Sequence, residues 1–379
     1  MKVCRFHPDR KYYIKGLCHQ CYNAWHGAGR PEGWAPKAKA PLPNFGNAPV
    51  DPVDARRVKL ATNKERKLLD SQVARLQELE QMERVLSALH ATPLAPICEA
   101  VTLDGSRRQG TAVAMLSDLH FGEVVEPSRS TYFNSYNVAI AAFRLERFFS
   151  GVEWLVKNSR TWCEIYDLIV WLGGDLITGH IHEDLAETAL GPIDSILALQ
   201  PLLERGIRRL QACGLRIRLV CSYGNHGRTT LKKRIETGAS HSYEWLMYSQ
   251  IGRNLPDVEI IADPTPHQYV EAYGKRLHFT HGDDTRYNGG VGGVTIPLNK
   301  ATAVWQKMDD VDWSHYGHYH TLFDGGHWIL NGSGIGYNAF ARSIKATPEP
   351  AQQWFYVLDS KRGRTARSPI WLEDRETEA

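Results

Sequence analysis

From residue 111 onward, short apolar runs alternate with longer amphipathic stretches. The runs at 112–116 (AVAML), 167–172 (DLIVWL), 215–223 (LRIRLVCSY) and 258–262 (VEIIA) have the length and apolar content of buried strands. Stretches at about 135–158, 183–212 and 240–252 read as helices between them. Further strand runs follow at 268–273, 275–281, 311–317, 327–332 and 353–359. The first half therefore alternates β and α while the second half is mainly β, which predicts an α/β domain over 111–379.

Ahead of this domain the pattern falls into three pieces. Residues 1–28 are a compact segment rich in Cys and His. Residues 29–54 carry six prolines, which fix φ and remove backbone donors, so they read as an extended linker. Residues 55–90 contain neither Pro nor Gly. There Leu68, Gln72, Arg75, Leu79, Met82, Leu86 and Leu89 recur at three and four, giving a mostly apolar stripe on a long helix. Two polar residues interrupt the stripe, so docking on the main domain is favoured over pairing in a homo-oligomer, which stays open. Residues 91–110 are a connector that completes a helix-and-connector region over 55–110.

Composition narrows the class. With 379 residues, the chain has room for two or three domains. Apolar residues at 42% and charged residues at 23% exclude a mostly disordered, collagen-like or purely coiled-coil chain. The strongest apolar run, 168–172, has five residues, so no membrane partner is expected. The first residues, MKVCRFHPDRKYY, show no apolar signal region, and a cytoplasmic protein is expected. Net charge is only +3, but residues 1–46 hold eight Lys or Arg against two acids, a local +6 that leaves −3 for the rest. The cysteines divide in the same way: Cys4, Cys18 and Cys21 cluster at the front, which suggests metal, while Cys98, Cys163, Cys213 and Cys221 are scattered as small core residues are.

The chemistry-bearing residues sit where the predicted strands end. The first run leads into Asp118-Leu119-His120 and the second into Gly173-Gly174-Asp175. The third leads into Gly224-Asn225-His226-Gly227, and later runs end in His281-Gly282-Asp283 and Gly317-His318-Tyr319-His320. Loops at strand ends are where an α/β scaffold places its chemistry, and the adjacent glycines let the backbone turn sharply. Asp118, His120, Asp175, Asn225, His281, His318 and His320 would make a two-metal shell, with Asp175 the middle candidate for a shared carboxylate. Carboxylate and imidazole donors without thiolate suit Mn²⁺, Fe, Zn or Ni.

Five such blocks in this order make residues 111–360 resemble the calcineurin-like metallophosphoesterase superfamily, and Asn331-Gly332-Ser333 resembles the usual tail of its last block. The resemblance implies a four-layer αββα sandwich of two mixed sheets. It implies two divalent ions, Mn²⁺ first among them: Asp118, His120 and His320 on one, Asn225, His281 and His318 on the other, and Asp175 between them. His226 would contact phosphate and protonate the leaving oxygen, after attack by metal-activated hydroxide. One departure is visible. The family usually has an acid after the Asn-His pair, where this chain has Gly227, which leaves the partner that orients His226 open; Asp283 and Asp284 are candidates.

Two further features bear on substrate. Arg228, Lys232, Lys233 and Arg234 put four cations in seven residues beside the catalytic loop, and Arg228 is the nearest candidate for a phosphate contact. His180 and His182 follow the Gly-Gly-Asp loop and are candidates to line the pocket. At the front, Cys4-x2-His7-x10-Cys18-x2-Cys21 offers two close pairs suited to one structural Zn²⁺, with His19 or His26 as alternatives to His7. This segment resembles zinc modules of phage and mobile-element nucleic-acid enzymes, and its cations interleave with Tyr12, Tyr13, Tyr22 and Trp25. The expectation is a dinuclear metal-dependent phosphodiesterase acting on nucleic acid, DNA or RNA. The alternatives are a phosphomonoesterase or small-nucleotide phosphodiesterase whose zinc module docks a protein, and a non-catalytic nucleic-acid-binding adaptor.

Overall fold

The structure is a computed structural model that describes residues 17, 19–27, 52–91, 105, 107–127, 134–181, 190–286 and 293–373. The chain divides into two compact units, Met1–Arg75 and Leu76–Ala379. In the first, α1 (His19–Gly27) buries Cys21 with Leu17, and Tyr22 and Trp25 pack on that pair. Cys4, His7 and Cys18 lie outside the described residues, as does the proline-rich linker except for its last three positions. The long helix α2 (Pro52–Ala91) starts three residues inside that linker, because proline fits a helix's first turn, where its missing N–H has no intrahelical partner. Within the second unit, Met82 and Leu86 of α2 pack against the main core, whereas Leu76 is exposed; Leu68 and Leu69, in the first unit, are exposed as well.

The second unit is built on two mixed sheets. The first has the order β11-β10-β1-β2-β3-β4, with β1 (Arg108–Leu116), β2 (Cys163–Leu172), β3 (Arg216–Cys221) and β4 (Glu259–Ile261) parallel. At its other edge β10 (Gln352–Asp359) and β11 (Gly363–Trp371) run antiparallel. The second sheet has the order β5-β6-β7-β9-β8, from β5 (His267–Ala272), β6 (Lys275–Thr280), β7 (Trp313–Tyr316), β8 (Phe323–Asp324) and β9 (Trp328–Leu330).

The period of two along β1 decides the layering. Ala112, Ala114 and Leu116 face α3 (Val138–Ser159), α4 (Pro192–Ala212) and α5 (Tyr243–Asn254). Val113 and Met115 face the other way, meeting Ile169, Trp171, Leu277 and Phe279 between the sheets. The far face of the second sheet buries Tyr316 and Leu330 under Leu298 of α6 (Thr295–Asp309). The result is four layers, helix–sheet–sheet–helix. Parallel connections bring the carboxyl ends of β1, β2, β3, β6 and β7 to one rim, where α7 (Ala339–Ser343) also lies.

Helix packing supplies one stability test. A Cβ on Gly206 of α4 would fall 2.1 Å from a ring carbon of Phe149 on α3, and Phe149 is fully enclosed. Gly206→Ala should therefore destabilise the domain by about 1–3 kcal/mol through overpacking, outweighing alanine's better helix propensity. Thermal melting should show Tm falling by several degrees; an unchanged or higher Tm would mean α3 and α4 have room to separate.

Candidate metal centre

Nine non-glycine residues have φ in the left-handed region among the described residues, and five of them are Asp118 (53°), His120 (48°), Asp175 (49°), His318 (70°) and His320 (53°). This conformation costs an L-residue about 1–2 kcal/mol. Backbone strain of that kind gathers at functional sites, where the surrounding structure enforces it. The loops that enforce it are held together. Asp118 N donates to Gly174 O at 3.0 Å and His120 N to Asp175 O at 2.9 Å, joining the β1 and β2 loops. Both Asp118 carboxylate oxygens accept from His318 N, at 3.0 and 3.1 Å, joining the β1 and β7 loops. Gly224 is needed for close approach, since a Cβ there would lie 2.1 Å from Asp175 Oδ1.

These loops bring the predicted side chains together in three groups, each with ligand atoms within 4.8 Å of one another: Asp118, His120 and His320; His120, Asp175 and His226; Asp175, His281 and His318. Asn225 joins the third, its Oδ1 lying 3.3 Å from His281 Nε2. Asp175 belongs to two groups and shares one with His120, so it stands between the ends of the site. All seven line, or lie directly beside, a cavity of about 350 Å³ whose wall also includes Glu123, His226, Asn338 and Phe340.

The donor chemistry fits cations. His281 Nδ1 donates to Gly173 O at 2.8 Å, so its Nε2 carries a lone pair in the neutral ring. That nitrogen faces Asp175 Oδ2 at 3.0 Å and Asn225 Oδ1 at 3.3 Å, both acceptors. Only a proton or a metal ion satisfies all three. Burial works against charge on either partner, yet Asp175 holds His281 well above the usual histidine range, and His281 and His226 hold Asp175 well below the usual carboxylate range. At the other end His120 Nε2 and His320 Nε2 lie 3.2 Å apart, and Asp118 Oδ1 lies 3.5 Å from His320 Nε2. Burial, then the charges of His226 and His320, hold His120 well below its usual range, so it is a neutral imidazole with a lone pair to offer. Burial, followed by His281, pushes His318 down to about 4.

His226 has its backbone N–H on Asp175 Oδ1 at 2.8 Å and its Nδ1 on Thr178 O at 3.0 Å, and the residue lines the cavity. Thr178 O is thus the orienting partner, and neither predicted acid takes that place: Asp283 pairs with Lys233 at 2.7 Å, and Asp284 lies 3.7 Å from His267. Arg228 directs three donors to backbone carbonyls, those of Asn225, Thr230 and Leu231, so it props the Asn225 loop. It also lines a hollow beside Asn225 with Lys233, Arg234 and His241. His180 is exposed and packs edge-on to Tyr243; His182 lies outside the described residues.

Several residues of the site were not anticipated. Buried Glu123 places Oε2 3.6 Å from His120 Nδ1 and accepts from Asn338 Nδ2 at 3.1 Å. Phe340 packs on His318 and His320, with ring centroids 5.8 and 5.1 Å away. Glu244 of α5 is wholly buried beneath the β2 and β3 loops; burial and then the charge of Asp175 push it up to about 7. Asn331 is structural, donating to Ser117 Oγ and Gln353 Oε1 and accepting from Trp354 N.

The family model described as calcineurin-like phosphoesterase matches residues 111–335. No curated protein matches the chain. Among solved structures, the chain is similar to the hypothetical protein PH1004 of Pyrococcus horikoshii OT3, at 13% identity and a TM-score of 0.34, over 70% of this chain and 89% of that one. At that level the structural likeness carries no argument.

Proposed function

The chain belongs to the calcineurin-like phosphoesterase family, an enzyme family, and from that premise we propose a metal-dependent phosphodiesterase that cleaves nucleic acid. The observation that carries the catalytic part is the chain of three His/Asp groups, the first joined to the second through His120 and the second to the third through Asp175. In this reading Asp118, His120 and His320 would hold one divalent ion, Asn225, His281 and His318 would hold the other, and Asp175 would serve both. Mn²⁺ is the first candidate, with Fe, Zn and Ni as others. Bound there, the ions would lower the pKa of a water and offset charge on the phosphate. His226, steadied by Thr178 O, presents Nε2 to the leaving oxygen and supplies its proton.

The nucleic-acid part rests on charge and shape. Lys232 and Arg234 are exposed on the loop that follows Asn225, where a polyanion backbone leaving the cavity would pass, while Lys233 between them pairs with Asp283. Phe340 offers the cavity a flat apolar face for a base. The front segment, with Cys4, His7, Cys18 and Cys21 on one structural Zn²⁺, would add a basic tether. Its support is the ligand spacing and the excess of positive charge over residues 1–46.

The test is a substrate panel on two forms of the protein. Mn²⁺-loaded protein should hydrolyse bis-p-nitrophenyl phosphate faster than p-nitrophenyl phosphate, cleave labelled DNA or RNA, and lose both activities in EDTA. Deleting residues 1–54 should spare the small diester while weakening long-substrate binding. The slope of log K against log salt should then fall by about 0.7–0.9 for each phosphate that the protein ceases to neutralise. A preference for the monoester with no cleavage of DNA or RNA would replace this reading with a monoesterase whose front segment docks a protein.

A further inference from the structure

Glu244 sits where an acid is normally solvated, in the first turn of α5 just after the capping residue Ser242. Here that turn points inward, and the side chain is fully enclosed. Its two oxygens divide their work. Oε1 accepts from Leu176 N at 2.6 Å, and Oε2 accepts from Gly224 N at 2.7 Å. Leu176 is the residue after Asp175, and Gly224 is the residue before Asn225. One carboxylate therefore ties together two loops, gripping each one residue away from a metal-ligand candidate. Both oxygens accept from an N–H, an arrangement suited to the ionised carboxylate, whose charge-assisted bonds are roughly twice as strong as neutral ones.

The neighbouring backbone is shaped around this side chain. A Cβ on Gly227 would fall 2.8 Å from Glu244 Cγ, so a larger residue there would push the acid away. Tyr243 N donates to Gly227 O at 2.8 Å, which seats the start of α5 on the same loop. We propose that Glu244 is a positioning residue: it sets the separation between Asp175 and Asn225, and with it the affinity of the Asn225–His281–His318 half of the site for its cation. The proposal rests on the dinuclear reading above. Asp118, His120 and His320 are not gripped by Glu244, so the effect falls chiefly on the Asn225–His281–His318 cation and reaches the other only through the shared Asp175.

Glu244→Gln is the discriminating variant, because it keeps shape and volume. An amide has one acceptor oxygen, so it can serve Leu176 N or Gly224 N but not both, and its NH₂ then faces a donor. Partners that orient metal ligands typically change affinity by about 10–100-fold when altered. Calorimetric titration with Mn²⁺ should show the wild type binding two ions, and the variant keeping the first while losing about 10–100-fold in affinity for the second. Two unchanged dissociation constants, with only a lowered Tm, would reduce Glu244 to a packing residue and overturn the proposal. Fewer than two ions on the wild type would instead count against the dinuclear reading. Amide hydrogen exchange on the metal-free wild type judges the clamp in that event, and also if the variant does not fold. Leu176 and Gly224 amides should exchange far more slowly than open-loop amides, and exchange at open-loop rates would overturn the clamp.

Discussion

Asp175→Asn should abolish hydrolysis while leaving the fold intact. The substitution is nearly isosteric, and an amide oxygen can still accept from His226 N, the 2.8 Å contact that holds the third loop. The position facing His281 Nε2 is different. There Asp175 Oδ2 lies 3.0 Å away, and an NH₂ in its place donates to the ring nitrogen that should bind a cation. The variant is thus stable without metal and is blocked from sharing a ligand between two ions. Two ions at this site would supply several kcal/mol of transition-state charge stabilisation, and about 4 kcal/mol corresponds to about 10³ in rate. The expected result is a loss of at least about 10³-fold on bis-p-nitrophenyl phosphate, with fewer than two metals per chain by elemental analysis and a near-normal circular dichroism spectrum. Two bound metals and near-normal turnover would remove Asp175 from the bridging position.

Much of this site was legible because buried parallel strands announce themselves. The runs at 112–116 and 168–172 are apolar on both faces, and 215–223 becomes so from Leu219 once Arg216 and Arg218 are passed, since each lies there between helices and a second sheet, and their ends locate the loops. The strand β11 was not legible, because an edge strand has no such need: GRTARSPIW is mostly half-buried or exposed and carries Pro369. Helix α6 was missed for a related reason, since only Leu298 and Thr302 of its fifteen residues are buried and its apolar stripe is thin. The two-residue β8 is below any periodicity. The glycines were read as the turning points of the loops, but the turn is often made by the ligand itself. At Gly317-His318 the left-handed residue is His318, and Gly317 serves instead to avoid a clash 2.8 Å from Asp118 Oδ2. Glu123 and Glu244 were invisible for a third reason. Each acts on a loop to which only the folded chain brings it, and in sequence each is an ordinary acid beside a helix or a turn.

His226→Ala should separate proton donation from metal binding. The geometry leaves the question sharp, because His226 shares a 4.8 Å group with His120 and Asp175 and could in principle be a ligand as well as an acid. Its Nδ1 contact to Thr178 O at 3.0 Å and its edge-on packing against His120, with centroids 4.6 Å apart, fix the ring of a residue that lines the cavity. If its Nε2 delivers a proton, removing the ring should lower turnover by about 10²–10⁴-fold on a diester with an alkoxide leaving group. The loss on a p-nitrophenyl diester should be much smaller, because p-nitrophenolate departs without a proton. Metal content should stay at two ions, since Asp118, His120 and His320 form a group without it, as do Asp175, His281 and His318. The measurement is kcat on both esters beside metal stoichiometry on the same preparation. Equal losses on the two esters would mean that His226 positions the phosphate without protonating anything. A missing metal would make it a ligand, and the group it forms with His120 and Asp175 would then be a binding site in its own right.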